Sequence, residues 1–321
     1  MIKIKVSSHG DWPIERQLPI NYSRFDNYKF YVNEEVESCD YWFIFNFLNK
    51  EQEQTYCIKN NVYLIAPEPA HVQKYFRKYT SQFAKVITNQ IELSHPKKIF
   101  SQTGAPWFIN KNFSELLHIN TIPKSKKISI VTSNKIFTKQ HKQRFEFALA
   151  VKNHFKDKID LFGRGVNSFN DKWDVLAPYE TSIVIENGQY LDYFTEKITD
   201  SFLSLTYPFY FGCKNIETYF NGDSYSLIDI NNLKKSIEEI ERVISDEQFY
   251  DNHLDALRIS KQQSLIDYNF FGLIVSTIES NPLDITLSKE LIKLENDFND
   301  IPTLIEKILY KGTRFFNNNF S

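Results

Sequence analysis

Cysteine is scarce and unpatterned in this 321-residue chain: Cys39, Cys57 and Cys213 are odd in number, scattered, and form no C-x-x-C pair. That usage excludes a disulfide framework or a zinc ribbon and points to a reducing cytoplasm, each thiol serving as a small buried hydrophobe. Long apolar runs are also missing. None approaches the ~20 residues that span a bilayer, and the mean hydropathy of -0.41 is that of a soluble chain. The first residues, MIKIKVSSHG, have no apolar core with a small-residue cleavage site, so they read as a buried first strand and not as a signal peptide. Neither sign of charge dominates, with 38 basic against 40 acidic residues. Without a clustered basic field, a nucleic-acid partner is not expected. The chain contains no G-x-x-x-x-G-K-[ST], H-E-x-x-H or G-x-S-x-G, and lacks the glycine fingerprint of dinucleotide oxidoreductases. The simplest nucleotidase, zinc-protease, serine-hydrolase and dehydrogenase readings fall away with them. Its seven histidines are dispersed, with no ligand-like pair three or four residues apart. No Asp-x-Asp closes a strand in the way that metal-dependent transferases use to hold a nucleotide diphosphate, and no metal or other cofactor is expected.

What is abundant is aromatic: 16% of residues, including 28 Phe and 18 Tyr. The length allows roughly two domains. Short apolar runs alternate with longer amphipathic stretches, the rhythm of an α/β fold with largely parallel sheets. Strands are predicted at 2–6, 41–47, 62–65 and 82–87, with a helix-like stretch at 74–79. The polar, basic segment NTIPKSKK (120–127), broken by Pro123, reads as a domain junction. A second series follows, with strands at 127–132, 159–162, 182–186, 207–211 and 225–228. Helices are predicted over 138–156 and 194–205, giving the pattern of a doubly wound nucleotide-binding domain. From Asn231 the chain reads as mostly helical, with Leu233, Ile237, Ile240 and Val243 on one face. The expected division is 1–120, 121–285 and a C-terminal helical segment 286–321.

The segment YETSIVIENGQYLDYFTEKITDSFLSLTYPFYFG (179–212) concentrates the chemistry. A buried strand ends in Glu186 and Asn187, and Gly188 opens a loop at its carboxyl end, where open α/β sheets bind ligands. The loop runs through Asp192 and Tyr193 to Thr195, a fair helix N-cap. Glu196 and Lys197 then occupy the first turn, where free N–H groups and the positive dipole end suit a diphosphate. A Thr-Glu-Lys triplet alone would read as an exposed first turn. The order strand, Glu-Asn, loop, Asp-Tyr-x-Thr-Glu-Lys, helix, Pro-x-Tyr-x-Gly is more specific, and it resembles the donor-binding signature of the α-1,3/1,4-fucosyltransferases, glycosyltransferase family 10.

A second block, VTSNKIFTKQHKQRFEFALAVKNHFKDKIDLFGRG (131–165), is similar to the same family's strand, Ser-Asn, Arg-x-x-aromatic helix and Asp-x-Phe-Gly-Arg-Gly turn. That match implies Arg144 as the arginine holding the donor diphosphate, a role its planar donor fork suits. Taken without the family, Arg144 is a solvated arginine on a basic helix. Gly163 and Gly165 serve turns, and Arg164 is either structural or turned to the site. A third block, YLIAPEPAH (63–71), ends a strand in Glu68 between prolines, and His71 follows. The resemblance implies that Glu68 is the catalytic base. As plain sequence it equally fits a helix cap or a partner for Arg77 or Lys78.

The family implies a GT-B fold: two Rossmann-like domains facing a cleft. It further implies inverting transfer of fucose from GDP-fucose to a glycan hydroxyl, of the bacterial lipopolysaccharide or capsule type. Donor contacts would come from Arg144, Glu186, Asn187, Tyr193, Thr195, Glu196 and Lys197. By residue type alone, Trp12, Trp107 and Tyr75 either stack on acceptor sugars or are buried aromatics, and His71 either positions the acceptor, holds Glu68 or is an ordinary hydrogen-bonded histidine. Another nucleotide-activated deoxy- or amino-sugar fits the same donor residues, as does a catalytically silent glycan- or nucleotide-binding module. The tail IEKILYKGTRFFNNNF mixes Lys307, Lys311 and Arg314 with Tyr310, Phe315, Phe316 and Phe320. It suits a final helix packed on the protein, or peripheral contact with an anionic membrane from the cytoplasmic side.

Overall fold

The computed structural model describes residues 1–134, 138–282, 287–298, 303–308 and 310. Its chain divides into two compact units: one comprises residues 1–15, 19–104 and 270–321, the other 16–18 and 105–269.

The first unit is built on six parallel strands, β1 (Ile2–Ser8), β2 (Tyr28–Val32), β3 (Tyr41–Phe45), β5 (Val62–Ala66), β6 (Lys85–Thr88) and β7 (Lys98–Phe100). Their spatial order is β2-β1-β3-β5-β6-β7. The central strands β3 and β5 are buried along their whole length, as expected of a parallel sheet covered on both faces. On one face Trp42, Ile44, Val62 and Leu64 form a cluster with Tyr75, Tyr79 and Phe83. On the other, Phe43 and Tyr63 stack with ring centroids 4.8 Å apart. The high aromatic content is therefore core material. A separate ribbon pairs β4 (Gln52–Cys57) with β13 (Glu290–Glu295) in antiparallel register. β13 lies in the segment expected to be helical. Its period-2 pattern explains the strand: Leu294 is buried in the Trp42 cluster with Ile292 packed beside it, while Leu291 and Lys293 face out.

The second unit carries β8 (Lys126–Val131), β9 (Ile159–Phe162), β10 (Tyr179–Ile185), β11 (Tyr207–Phe211) and β12 (Ser226–Leu227), all parallel, in the order β12-β11-β10-β8-β9. Strand β8 runs first, then one neighbour is added on one side and the rest on the other. The order therefore reverses between β8 and β10, the topological switch point where such sheets bind ligands. Helix α3 (Lys139–Phe155) follows β8, with Thr138 accepting the His141 N–H as its N-cap. Helix α4 (Glu196–Leu203) joins β10 to β11, and α5 (Leu233–Ile244) and α6 (Phe249–Ile266) close the unit. Apolar side chains of β8 to β11, α3 and α4 share one core with Ile240, Val243, Phe249 and Leu257.

The units change at 104/105 and 269/270, whereas the sequence reading placed junctions at 120 and 285. Residues before the polar NTIPKSKK stretch already belong to the second unit: Lys261 of α6 donates to the carbonyls of Leu116 and Ile119. Helix α7 (Phe270–Ser280) belongs to the first, where Phe271 and Phe270 meet Phe30 and Phe45 edge-on. A helix over 303–308 follows β13, and Tyr310 packs edge-on against Phe76 of the first unit. The tail residues Lys311, Arg314, Phe315, Phe316 and Phe320 lie outside the described residues. No helix among the described residues is long and apolar enough to cross a membrane.

Candidate donor site

A cavity of about 190 Å³ opens in the second unit at the carboxyl ends of β8 and β10. It is lined by Thr132 and Ser133 after β8, by Ser182 to Ile185 of β10, by Gly163 and Arg164 after β9, and by Arg144, Lys172, Glu196, Lys197 and Ser201. Sequence logic and topology agree on its place.

Behind its lining lies Glu186. This side chain is fully buried. One oxygen accepts the Thr195 backbone N–H at 2.9 Å and the other accepts the Thr195 hydroxyl at 2.7 Å. The ammonium of Lys197 lies 3.3 Å from the second oxygen. Thr195 caps α4 by accepting the Lys197 N–H, and the Lys197 ammonium also donates to Thr195 Oγ1 at 2.9 Å and to Glu196 at 3.1 Å. Burial pulls the Lys197 pKa down, but the charges of Glu186 and Glu196 outweigh it and leave the pKa raised. Burial pushes Glu196 up, while Lys197 and then Lys172 hold it below the usual carboxylate range. Both groups are therefore charged across the neutral range.

Arg144 reaches in from α3. It is 7% exposed, its Nη1 donates to Asn187 Oδ1 at 2.6 Å, and its Nη2 has only a long 3.4 Å contact to Ser133. Its Nε–H has no partner among the described residues. Burial lowers its pKa, and the charge of Glu186 offsets part of that. A buried guanidinium with donors unspent is unusual in a finished core and is what an anion site requires.

Two glycines of the resembling blocks acquire reasons. Gly163 has φ +143°, and a β-carbon there would come 1.3 Å from the Thr132 carbonyl oxygen, so only glycine lets the turn after β9 lie against the end of β8. At Gly212 a β-carbon would meet Glu186 Cγ at 2.4 Å. The glycine closing Pro-x-Tyr-x-Gly thus makes room for the carboxylate that fixes Lys197.

Of the donor residues expected from sequence, Arg144, Glu196 and Lys197 line the cavity. Glu186, Asn187, Tyr193 and Thr195 stand behind it. Glu186 is spent on Thr195 and Lys197, Asn187 on Arg144, and Tyr193 is 1% exposed. These four position the lining and do not face the cavity. Asp192 is structural: at φ +57° it accepts from Asn215 Nδ2 at 2.8 Å and from the Tyr219 hydroxyl at 2.7 Å. Lys172 and Ser201 were not legible as site residues, because neither falls at a recognisable position of the two blocks.

In the first unit, Glu68 lies half-buried two residues beyond the end of β5. Its loop is pinned by Gln90, whose Nε2 donates to the carbonyls of Glu68 and, at 3.0 Å, of Gln73. Burial and then the Glu68 charge raise the neighbouring Tyr75 phenol. His71 is half-buried in the same turn. Trp12 follows β1 and meets Phe45, at the end of β3, edge-on at 5.4 Å, so it stands where the order of this sheet reverses. Trp107 corrects the expectation made for it. It is 2% exposed and its indole N–H donates to the Lys111 carbonyl at 2.9 Å, leaving no face for a sugar. Tyr75 is likewise buried, its hydroxyl donating to Asn46 Oδ1 at 2.7 Å.

Two units with parallel sheets, one with a cation-lined cavity at its switch point, are the architecture of the GT-B fold. Residues 121–266 match the sequence family described as Glycosyltransferase family 10 (fucosyltransferase) C-term. No curated protein sequence matches it. Among solved structures it is similar to an alpha1,3-fucosyltransferase, 18% identical over 93% of both chains with a TM-score of 0.52, a likeness of fold. An alpha1,3-fucosyltransferase solved with GDP-fucose is 18% identical over 85% of this chain and 90% of its own, with a TM-score of 0.46.

Proposed function

We propose that the chain transfers fucose from GDP-fucose to a hydroxyl of a glycan, of the lipopolysaccharide or capsule type, with inversion at the anomeric carbon and without a metal. The observation that carries this reading is the cavity between β8 and β10, where Arg144, Arg164, Lys172 and Lys197 converge with Glu196 beside the first turn of α4. A diphosphate placed there meets fixed cations and the positive dipole end of a helix start. As the bond from the anomeric carbon to the diphosphate oxygen breaks, the charge developing on that oxygen is met by groups already oriented, which is where preorganised electrostatics lowers a barrier most. Glu196 is the acceptor for the ribose hydroxyls. Glu68 takes the proton of the acceptor hydroxyl as its oxygen forms the new bond to the anomeric carbon, on the face opposite the departing GDP.

A nucleotide panel tests the reading. GDP and GDP-fucose should raise the melting temperature by mass action, while UDP, CMP and dTDP leave it unchanged. GDP release in the presence of a glycan acceptor should give a product whose anomeric configuration is opposite to the donor's. Stabilisation by UDP in place of GDP would sink the guanine assignment, and a product that retains configuration would sink inversion.

A further inference from the structure

Lys172 lines the donor cavity without belonging to either block that announced it. It opens a short 3-10 turn, Lys172–Val175, capped by Asp171, which accepts the Trp173 N–H at 2.9 Å and the Asn110 N–H at 3.0 Å. The place of Lys172 is thus fixed from its own backbone. Its ammonium donates to Asp200 Oδ2 at 2.7 Å; the lysine side chain is 13% exposed and that of Asp200 is 0% exposed. Asp200 is held in turn by the Phe108 N–H, at 3.0 Å from Oδ1.

An ammonium carries three donors, and Asp200 is the one hydrogen-bond partner of Lys172 Nζ among the described residues. Two N–H groups of a mostly buried cation are left over, at a position that lines the cavity and acts electrostatically on Glu196. Burying Asp200 raises its carboxyl to about 6 in spite of Lys172. The pair is an expensive way to hold a lysine in place. An ion pair kept only for the fold is commonly no better than an apolar pair of equal volume, and such a pair would not leave donors open toward a cavity.

We propose that Lys172 is a separate phosphate contact for the donor diphosphate, positioned by Asp200 independently of the Glu186 and Glu196 carboxylates that hold Lys197. This rests on the donor reading above and assigns to one of its lining cations a direct phosphate contact with a separate anchor. Asp200 acts through Lys172 and is a positioning residue.

Calorimetry with GDP and with inorganic pyrophosphate tests it, using the full chain, Lys172→Met, and Lys172→Met combined with Asp200→Asn. The double substitution removes both charges, so it keeps the fold where the single one strands a buried carboxylate. Both variants should bind GDP and pyrophosphate at least about tenfold more weakly than the parent, with a flatter dependence on salt. A double variant that binds both as tightly as the parent overturns the proposal and leaves the donor reading standing. A parent protein that binds neither probe overturns both. Pyrophosphate binding without GDP binding, lost in the variants, supports Lys172 and sinks the guanine nucleotide.

Discussion

Lys197 illustrates how a residue type legible in sequence acquires its function from neighbours that are not. Its ammonium sits 3.3 Å from Glu186 and 3.1 Å from Glu196, so removing it has two effects. Lys197→Ala should weaken GDP binding by about 1.5–3 kcal/mol, the worth of a charge-assisted hydrogen bond, and should also lower the melting temperature, because Glu186 is left buried without its counter-charge. Adding Glu186→Gln should recover the melting temperature and leave the affinity low. Unchanged affinity in Lys197→Ala would remove it from the phosphate site. For Glu68 the expected split is different. Glu68→Gln preserves size and most hydrogen bonding, so GDP affinity measured by calorimetry should stay at the parent value while turnover falls by at least about 100-fold, the lower range for a lost general base. Activity surviving in that variant would place the base elsewhere. The residue scale also shows the limit of the sequence. Arg144, Glu196 and Lys197 were singled out by the family resemblance, and all three line the cavity. That Glu186, Asn187, Tyr193 and Thr195 stand behind them was not legible, since burial and partner choice are set by chain segments 9 to 43 residues away.

At the scale of elements, strands with short runs of buried apolar residues were the most legible. The predicted 159–162 and 207–211 coincide with β9 and β11. Half-exposed strands were missed: β2, β4, β7 and β13 bury too few residues to announce themselves, and their pairing comes from partners distant in the chain. The turn after β9 makes a sharper prediction. Gly163→Ala places a methyl carbon into the Thr132 carbonyl at a backbone angle that L residues rarely adopt. It should cost about 3 kcal/mol or more of unfolding free energy, measured by urea denaturation, and should weaken GDP binding because Thr132 lines the cavity. A variant of parental stability would show that the turn can relax without disturbing β8.

For the whole molecule, half-buried Lys124 and buried Lys261, both of the second unit, set part of the pH response. Burial lowers Lys124 to about 7 and Lys261 to about 8, from an ordinary 10.5. Lys124 donates to the carbonyls of Ala177 and Ser204, and Lys261 to those of Leu116 and Ile119. In the unfolded chain both keep their protons up to about 10.5, so between about 7 and 10.5 the unfolded state binds more protons than the folded one. Their combined contribution to stability therefore rises with pH across that window. Lys124→Met should flatten this rise, read as a smaller gain in urea midpoint between pH 7 and pH 9.5 than the parent shows. An equal gain would mean that Lys124 stays protonated in the fold. Asp200, raised to about 6, has the opposite sense: its contribution is present below about 3.8 and is lost as pH rises through about 6.

By itself the sequence determined the α/β class, the family resemblance and three of the residues that line the cavity. These depend on local pattern, which a linear chain carries in full: apolar runs, a cap before a first turn, and a fixed order of chemical types. Only the tertiary structure decided where the units divide, that Trp107 is core, and that Lys172 lines the cavity while paired with Asp200. Those features arise from contacts between segments far apart in the chain, where each side chain meets a partner that its own neighbours do not name.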